Sequence, residues 1–410
     1  MNLWLVSNIA VDPRRSLEAS AIQNIQTAMA LAEQGHTTLL WVARMASDGR
    51  AALREHFGRA LPDGLRILAC RPKGRSGEKR TAFSAPAARL RNILRARLRA
   101  PAPEAIIARS PLVLAQLRKS WLVSSRAKLI LEFQYPEWAL LWRGWRRKHP
   151  EAGPAECVKR LRQLRQEENE RLLAADGILY ASRGHEPLLR RIQFSKPVQW
   201  LPSACLPPDD RPPVAPEYDA GYVGRLSPEN GLETVLAALR EVAGLRFYVV
   251  GDGPESYKAQ LRRLTEELGL SNRVVFAGAV KHSEVRSHMR LCRIGLVPIS
   301  ARRGPEKRQF ASPLKLVEWM AAGAPVVASA VPSVSQHVCD GREAALFRPD
   351  SPQDLAAAIR RVLDSPSLQR ALRENGLEAA RKSSYPNRAR QIIDFIERIP
   401  CARRRGVLEG

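Results

Sequence analysis

Short uninterrupted apolar runs alternate along the chain with stretches whose apolar residues fall three and four apart. Apolar runs of about three to seven residues, bounded by turn residues, suit strands buried on both faces of a parallel sheet. They occur at residues 2–6, 37–43, 105–108, 128–133 and 177–180, then at 219–223, 246–250, 273–276, 294–298 and 326–328. Helical spacing marks residues 21–34, where Ile22, Ile25, Met29, Leu31 and Ala32 share a face, and also 161–176, 355–363, 368–380 and 392–399. Strand, loop, helix, glycine and strand in that order open a doubly wound α/β domain. A stiff, proline-rich stretch at 202–216 interrupts the pattern and suits a connection between domains. The pattern predicts a first domain over 1–203, a hinge at 204–217, a second domain over 218–385 and a last helix at 386–400.

Residues 312–329, SPLKLVEWMAAGAPVVAS, combine several of these signals. Pro313 suits a first helical turn. Leu316, Val317, Met320 and Ala321 give one apolar face, Gly323 fits a left-handed cap, and Pro325 stops the helix before a buried strand. N–H groups near Ser312, Pro313, Leu314, Lys315 and Leu316, with the positive helix end, make an anion site. Lys315 adds a full charge, and Glu318, near one turn on, can accept hydrogen bonds from a diol. Phosphate plus ribose describes a nucleotide. The residues alone suit equally an ordinary amphipathic helix entering a strand.

The order S-P-L-K-L-x-E-x-M-A-x-G-x-P-V-V-A-S resembles the donor-site segment of family 4 nucleotide-sugar glycosyltransferases. That resemblance implies the GT-B architecture: two facing Rossmann-like domains, acceptor side first and donor side second, with a C-terminal helix crossing back. It implies transfer with retained configuration, Lys315 facing the donor diphosphate and Glu318 holding the ribose hydroxyls. Two further segments fit. Gly224 and Arg225 stand at a strand end, the edge where open α/β sheets bind ligands. Gly251 and Gly253, in GDGPE, permit positive dihedrals and close approach.

Three positions depart from the family pattern. The G-R-L-x-x-x-K-G pattern has Asn230 in place of its lysine. A glutamate usual eight residues before the ribose glutamate is Phe310. The histidine of a Glu-x-His strand end is Gln134, after Glu132, and Gln can bond sugar hydroxyls but cannot carry a proton. The first loop also lacks the usual adjacent glycines, with Arg14 and Arg15 in their neighbourhood. The acceptor is expected near Gln134.

Charge adds a second question. Sixty-six basic against 41 acidic residues give a net +25, which draws a protein to polyanions. Residues 71–100 hold ten Arg or Lys and one acid, Glu78, with Leu90, Ile93, Leu94 and Leu98 as a helical stripe among the arginines. Trp138, Trp142 and Trp145 share a predicted helix face just before Arg143, Arg146, Arg147 and Lys148. Both segments suit an anionic membrane surface or, equally, a helix packed on the core. Six scattered cysteines and seven histidines make no zinc or disulfide spacing, so neither metal nor cofactor is expected.

The expected function is a metal-independent retaining hexosyltransferase, with Arg225 and Lys315 neutralising the departing diphosphate. Its expected donor is a nucleotide-sugar and its acceptor saccharide or lipid-linked, in bacterial cell-surface polysaccharide or glycolipid synthesis. The expected location is cytoplasmic, peripheral on the inner face of the plasma membrane. The alternative is a decayed nucleotide-binding or scaffold protein. No zinc finger, basic zipper or RNA-recognition signature accompanies the charge, so nucleic acid is not an expected partner.

Overall fold

The computed structural model describes residues 1–7, 10–11, 17–45, 49–69, 86–121, 123–124, 126–209, 214–302 and 304–400. Among them are fifteen strands: β1 Asn2–Val6, β2 Ala10–Val11, β3 Thr37–Val42, β4 Arg44–Met45, β5 Leu65–Ala69, β6 Ala105–Ala108, β7 Lys128–Phe133, β8 Gly177–Tyr180, β9 Val198–Trp200, β10 Tyr218–Val223, β11 Phe247–Val250, β12 Val274–Gly278, β13 Cys292–Val297, β14 Val326–Ser329 and β15 Ala345–Phe347. Thirteen of them build two parallel-sheet, Rossmann-like α/β domains, and β2 pairs separately with β4. One compact unit takes Met1–Ala51, Ala60–Pro202 and Arg388 onward; the other takes Ala52–Arg59 and Ser203–Asn387.

The first sheet runs β5-β3-β1-β6-β7-β8-β9, all parallel. Its inner strands β6 and β8 are apolar and buried throughout, as strands covered on both faces are. Trp4 and Trp41 pack at 5.4 Å in a core with Ile106, Leu131 and Ile178. The first helix, Ala19–Glu33, ends at Gly35 with φ +83°, as the sequence pattern predicts. The helix Tyr385–Arg398 joins this unit from Arg388. A Cβ on Gly177 of β8 would stand 2.8 Å from Phe395 and Ile399, and Lys128 donates to the Ile396 carbonyl at 2.7 Å.

The arginine stripe is not the single face its spacing predicts. In the helix Pro86–Arg97, Ile93 and Ala96 are buried in the core, whereas Leu94 is 45% exposed and Leu98, just past the helix, 86%. The amphipathic period places Ile93 inward and Leu94 one position off that face. The Leu90 side chain, and Arg14 and Arg15, lie outside the described residues. The tryptophan face also divides. In the helix Glu137–Lys148, Trp142 and Trp145 stack at 5.4 Å and Trp145 stacks on His149 at 4.9 Å, while Trp138 lies under the Arg165 guanidinium at 4.4 Å.

The second sheet runs β12-β11-β10-β13-β14-β15, again all parallel. Both sheets thus have the doubly wound order 3-2-1-4-5-6, the first extended by one more strand, and each reverses direction beside its first strand. The helix Leu314–Ala321 lies on the second sheet through Trp319, which is fully buried. A Cβ on Gly295 would stand 2.2 Å from that ring and one on Gly221 2.9 Å, so two glycines make the seat for the indole. Pro313 caps this helix rather than joining its first turn, and Gly323 follows with φ +77°.

Candidate donor site of the second unit

Loops after β10 and β11 meet at the reversal point of the second sheet. Gly224 has φ +145° and Gly251 φ +146°. A Cβ on Gly251 would lie 1.8 Å from the Gly224 carbonyl oxygen, and one on Gly253 2.1 Å from that of Leu226. The loops therefore touch backbone to backbone, which only glycine permits. Gly253 serves this closeness and not a positive φ, contrary to the expectation for it. The Leu226 N–H donates to the Asp252 carbonyl at 2.8 Å and fixes the junction.

Lys315 reaches this junction from the start of the helix Leu314–Ala321. Its ammonium donates to Asn230 Oδ1 at 2.8 Å and to Tyr222 Oη at 3.1 Å, 4.6 Å from the Tyr222 ring centre. Asn230 Nδ2 in turn donates to the Arg225 carbonyl at 2.8 Å, as does Tyr222 Oη at 2.7 Å. Asn230 therefore holds Lys315 and the Arg225 loop together, a role that spacing alone could not show. Arg225 is exposed and helps to hold the Asp252 carboxyl below its usual range, after Lys258 and the Gly253 N–H.

Ser312 supports the helix start. Its Oγ accepts from the Ser203 N–H at 2.8 Å and meets His337 Nε2 at 3.3 Å, while its carbonyl accepts from Ser203 Oγ at 2.8 Å. Leu314 and Leu316 are buried and anchor the first turn, which has no side-chain cap. Glu318 follows one turn on. Burial pushes its carboxyl up to about 8, against the pull of Arg286 and Lys315. Phe310 closes a short helix Pro305–Phe310 before this segment.

In the first unit Gln134 lies at the end of β7. Its amide donates to Glu132 Oε1 at 2.8 Å. The same oxygen accepts from Arg388 Nη2 at 2.6 Å and lies 3.4 Å from Arg109 Nη2. Arg388 is itself buried and donates to Thr27 Oγ1 and to the carbonyls of Leu201 and Pro202. No group of three or more His, Cys, Asp or Glu that could hold a metal occurs among the described residues. No helix among them is long and apolar enough to cross a membrane.

This arrangement sets a basic helix start over glycine loops at a sheet's carboxyl edge, the kind of place where doubly wound folds can receive anions. Residues 217–365 match the sequence model described as glycosyl transferases group 1. Among curated proteins, the chain is 30% identical over 181 residues to alpha-D-kanosaminyltransferase of Streptomyces kanamyceticus, covering 43% of each. It is 32% identical over 180 residues to the lipopolysaccharide core biosynthesis glycosyltransferase LpsD of Rhizobium meliloti, covering 43% of this chain and 48% of that one. The chain thus spans less than half the length of these relatives.

Among solved structures, the sucrose-phosphate synthase of Thermosynechococcus elongatus superposes with a TM-score of 0.71 at 21% identity, covering 97% of this chain and 98% of that one. Anabaena HepE in complex with UDP and glucose gives 0.67 at 17%, covering 97% and 99%. The fold is that of the GT-B glycosyltransferases.

Proposed function

We propose that the protein is a glycosyltransferase that moves a sugar from a nucleoside-diphosphate sugar to an acceptor hydroxyl with retained configuration. The observation that carries the reading is the meeting of Gly224, Gly251 and Lys315 at one sheet edge, inside the segment that matches the group 1 model. Proline has no N–H and that of Leu316 donates to the Pro313 carbonyl at 3.1 Å, so the N–H groups of Leu314 and Lys315 face the diphosphate. Lys315 and Arg225 neutralise the charge that develops as it departs, without a metal. Glu318 receives the ribose hydroxyls. HepE was solved in complex with UDP and glucose, which supports a nucleotide-sugar donor here.

The acceptor is a saccharide or a lipid-linked sugar near Gln134, in bacterial cell-surface polysaccharide or glycolipid synthesis. LpsD, named for lipopolysaccharide core biosynthesis, supports that setting. A peripheral position on the inner face of the plasma membrane is supported by the Trp142–Trp145–His149 stack, with Leu140 and Leu141 exposed among Arg143, Arg147 and Lys148. Gln134, bonded to Glu132 and unable to carry a proton, favours a second reading in which the nucleotide binds without transfer.

The test has two stages. ADP, GDP and UDP are screened for a rise in Tm, and the matching nucleotide-sugars are then incubated with saccharide and lipid-linked acceptors, the product anomer being assigned by NMR. Transfer with retention supports the reading. Tight binding without turnover supports the second one, and no rise with any nucleotide overturns both.

A further inference from the structure

Two side chains that the proposed reaction does not touch converge on the segment just before the helix Leu314–Ala321. They follow the short helix Pro332–Ser335, which comes after β14 and packs against the helix Pro305–Phe310. Val331, Val334 and Val338 are buried and anchor this turn, and the Ala330 N–H donates to the Phe347 carbonyl of β15 at 2.8 Å. From that base Gln336 Nε2 donates to the Ala311 carbonyl at 3.0 Å and to the Ser333 carbonyl at 3.1 Å. His337 Nε2 meets Ser312 Oγ at 3.3 Å. Two neighbouring residues thus hold two others, 25 positions earlier in the chain.

Ser203 holds the same segment from a third, more distant part of the chain. Its N–H donates to Ser312 Oγ and its hydroxyl to the Ser312 carbonyl, each at 2.8 Å. The helix supplies no such support of its own. An N-cap side chain normally accepts from the first turn and fixes how the chain enters a helix, but the cap here is Pro313, which has nothing to accept with. Bonds from outside the helix take that part. The direction in which the Leu314 and Lys315 N–H groups point is therefore set upstream, at Ala311 and Ser312, and so by Gln336, His337 and Ser203.

We propose that Gln336 and His337 are positioning residues of the donor site, which aim the Leu314 and Lys315 N–H groups at the diphosphate. The proposal rests on the donor-site reading above. Ser312 Oγ takes the Ser203 N–H on one lone pair and gives its own hydrogen to His337 Nε2, with the imidazole proton on Nδ1. Both hydrogens of the Gln336 amide nitrogen are used, one inside its own turn and one on Ala311. Removing either side chain leaves the segment to turn about its Ser203 bonds. A shift of about 1 Å in a preorganised site is enough to spoil its geometry. The ribose, assigned to Glu318, is not held by this segment, so the loss falls on the diphosphate.

The test measures UDP and uridine affinity by calorimetry, with ADP and adenosine or GDP and guanosine in their place should those stabilise the protein more. His337→Phe keeps a ring without the nitrogen. It should weaken UDP about three- to tenfold and leave uridine within about twofold. Gln336→Met keeps the side-chain length without the amide and should show the same split, and it carries the test if His337→Phe does not fold. His337→Gln, whose side-chain oxygen can accept where Nε2 does, should return UDP affinity to within about twofold of the wild type. Equal losses of UDP and uridine, unchanged UDP affinity, or no rescue by His337→Gln would overturn the positioning role and leave the donor site standing. If ADP, GDP and UDP all fail to bind the wild type, both fall.

Discussion

At the carboxyl edge of the first sheet, one carboxylate oxygen of Glu132 meets Arg388, Gln134 and Arg109. At the matching edge of the second sheet stand glycines pressed against each other, one lysine and an exposed arginine. The strand order is shared. The first edge pairs its charges internally, in a buried ion pair and on backbone carbonyls. The second keeps the Arg225 side chain exposed and rests the Lys315 ammonium on Asn230 and Tyr222, and the close glycines let a ligand approach the backbone. Shared topology therefore fixes where a site can form, and the residues at the edge decide whether the chain fills it itself or, as proposed for the second edge, leaves it for an anion.

The sharpest break of this comparison is Arg388→Met. It leaves Glu132 buried with Arg109 as its remaining cation at 3.4 Å. Removing one partner of a buried pair should cost about 3–5 kcal/mol in urea unfolding. A loss under about 1 kcal/mol would show that the first edge is not held by its own charges. Next comes Gly251→Ala, whose methyl would meet the Gly224 carbonyl at 1.8 Å with φ at +146°. Strain and overpacking together should cost about 2–4 kcal/mol and weaken nucleoside-diphosphate binding as well. Unchanged binding would remove the loop junction from the site.

Much of this was legible beforehand, for physical reasons. Buried parallel strands read as plain apolar runs, so the runs at 105–108 and 128–133 coincide with β6 and β7. The glycines at 224 and 251 stood out because a tight junction excludes side chains. Other parts were hidden. Arg388 pairs with Glu132 across 256 residues, and no local pattern signals so distant a partner. Asn230 reads in sequence as a missing cation, yet in space its amide accepts from Lys315 and donates to the Arg225 carbonyl and Ser227 Oγ. Gln336 and His337 carry no local signal, and only folding brings them to Ala311 and Ser312.

Two smaller effects sharpen the second edge. Lys315→Ala should weaken nucleoside-diphosphate binding by about 1.5–3 kcal/mol and nucleoside binding by far less, as calorimetry with both ligands would show. Equal losses would place Lys315 away from phosphate. Asn230→Ala frees the Lys315 ammonium from one bond and the Arg225 carbonyl from another. It should weaken diphosphate binding by about 0.5–1.5 kcal/mol, because the lysine is less well held. Tighter binding would mean that Asn230 competes with the ligand for the ammonium.

The entry of Arg388 into the first unit has a consequence for biosynthesis. Glu132 emerges from the ribosome 256 residues before its arginine. At roughly 5–20 residues per second it waits on the order of 10–50 s. Through that interval β8 also lacks Phe395 and Ile399, the side chains that pack over Gly177. The unit that starts first is therefore completed last, after the sequence of the second unit has been made. A nascent chain stalled before Arg388 would carry an N-terminal unit with an uncompensated buried carboxylate, a natural target for chaperones and proteases.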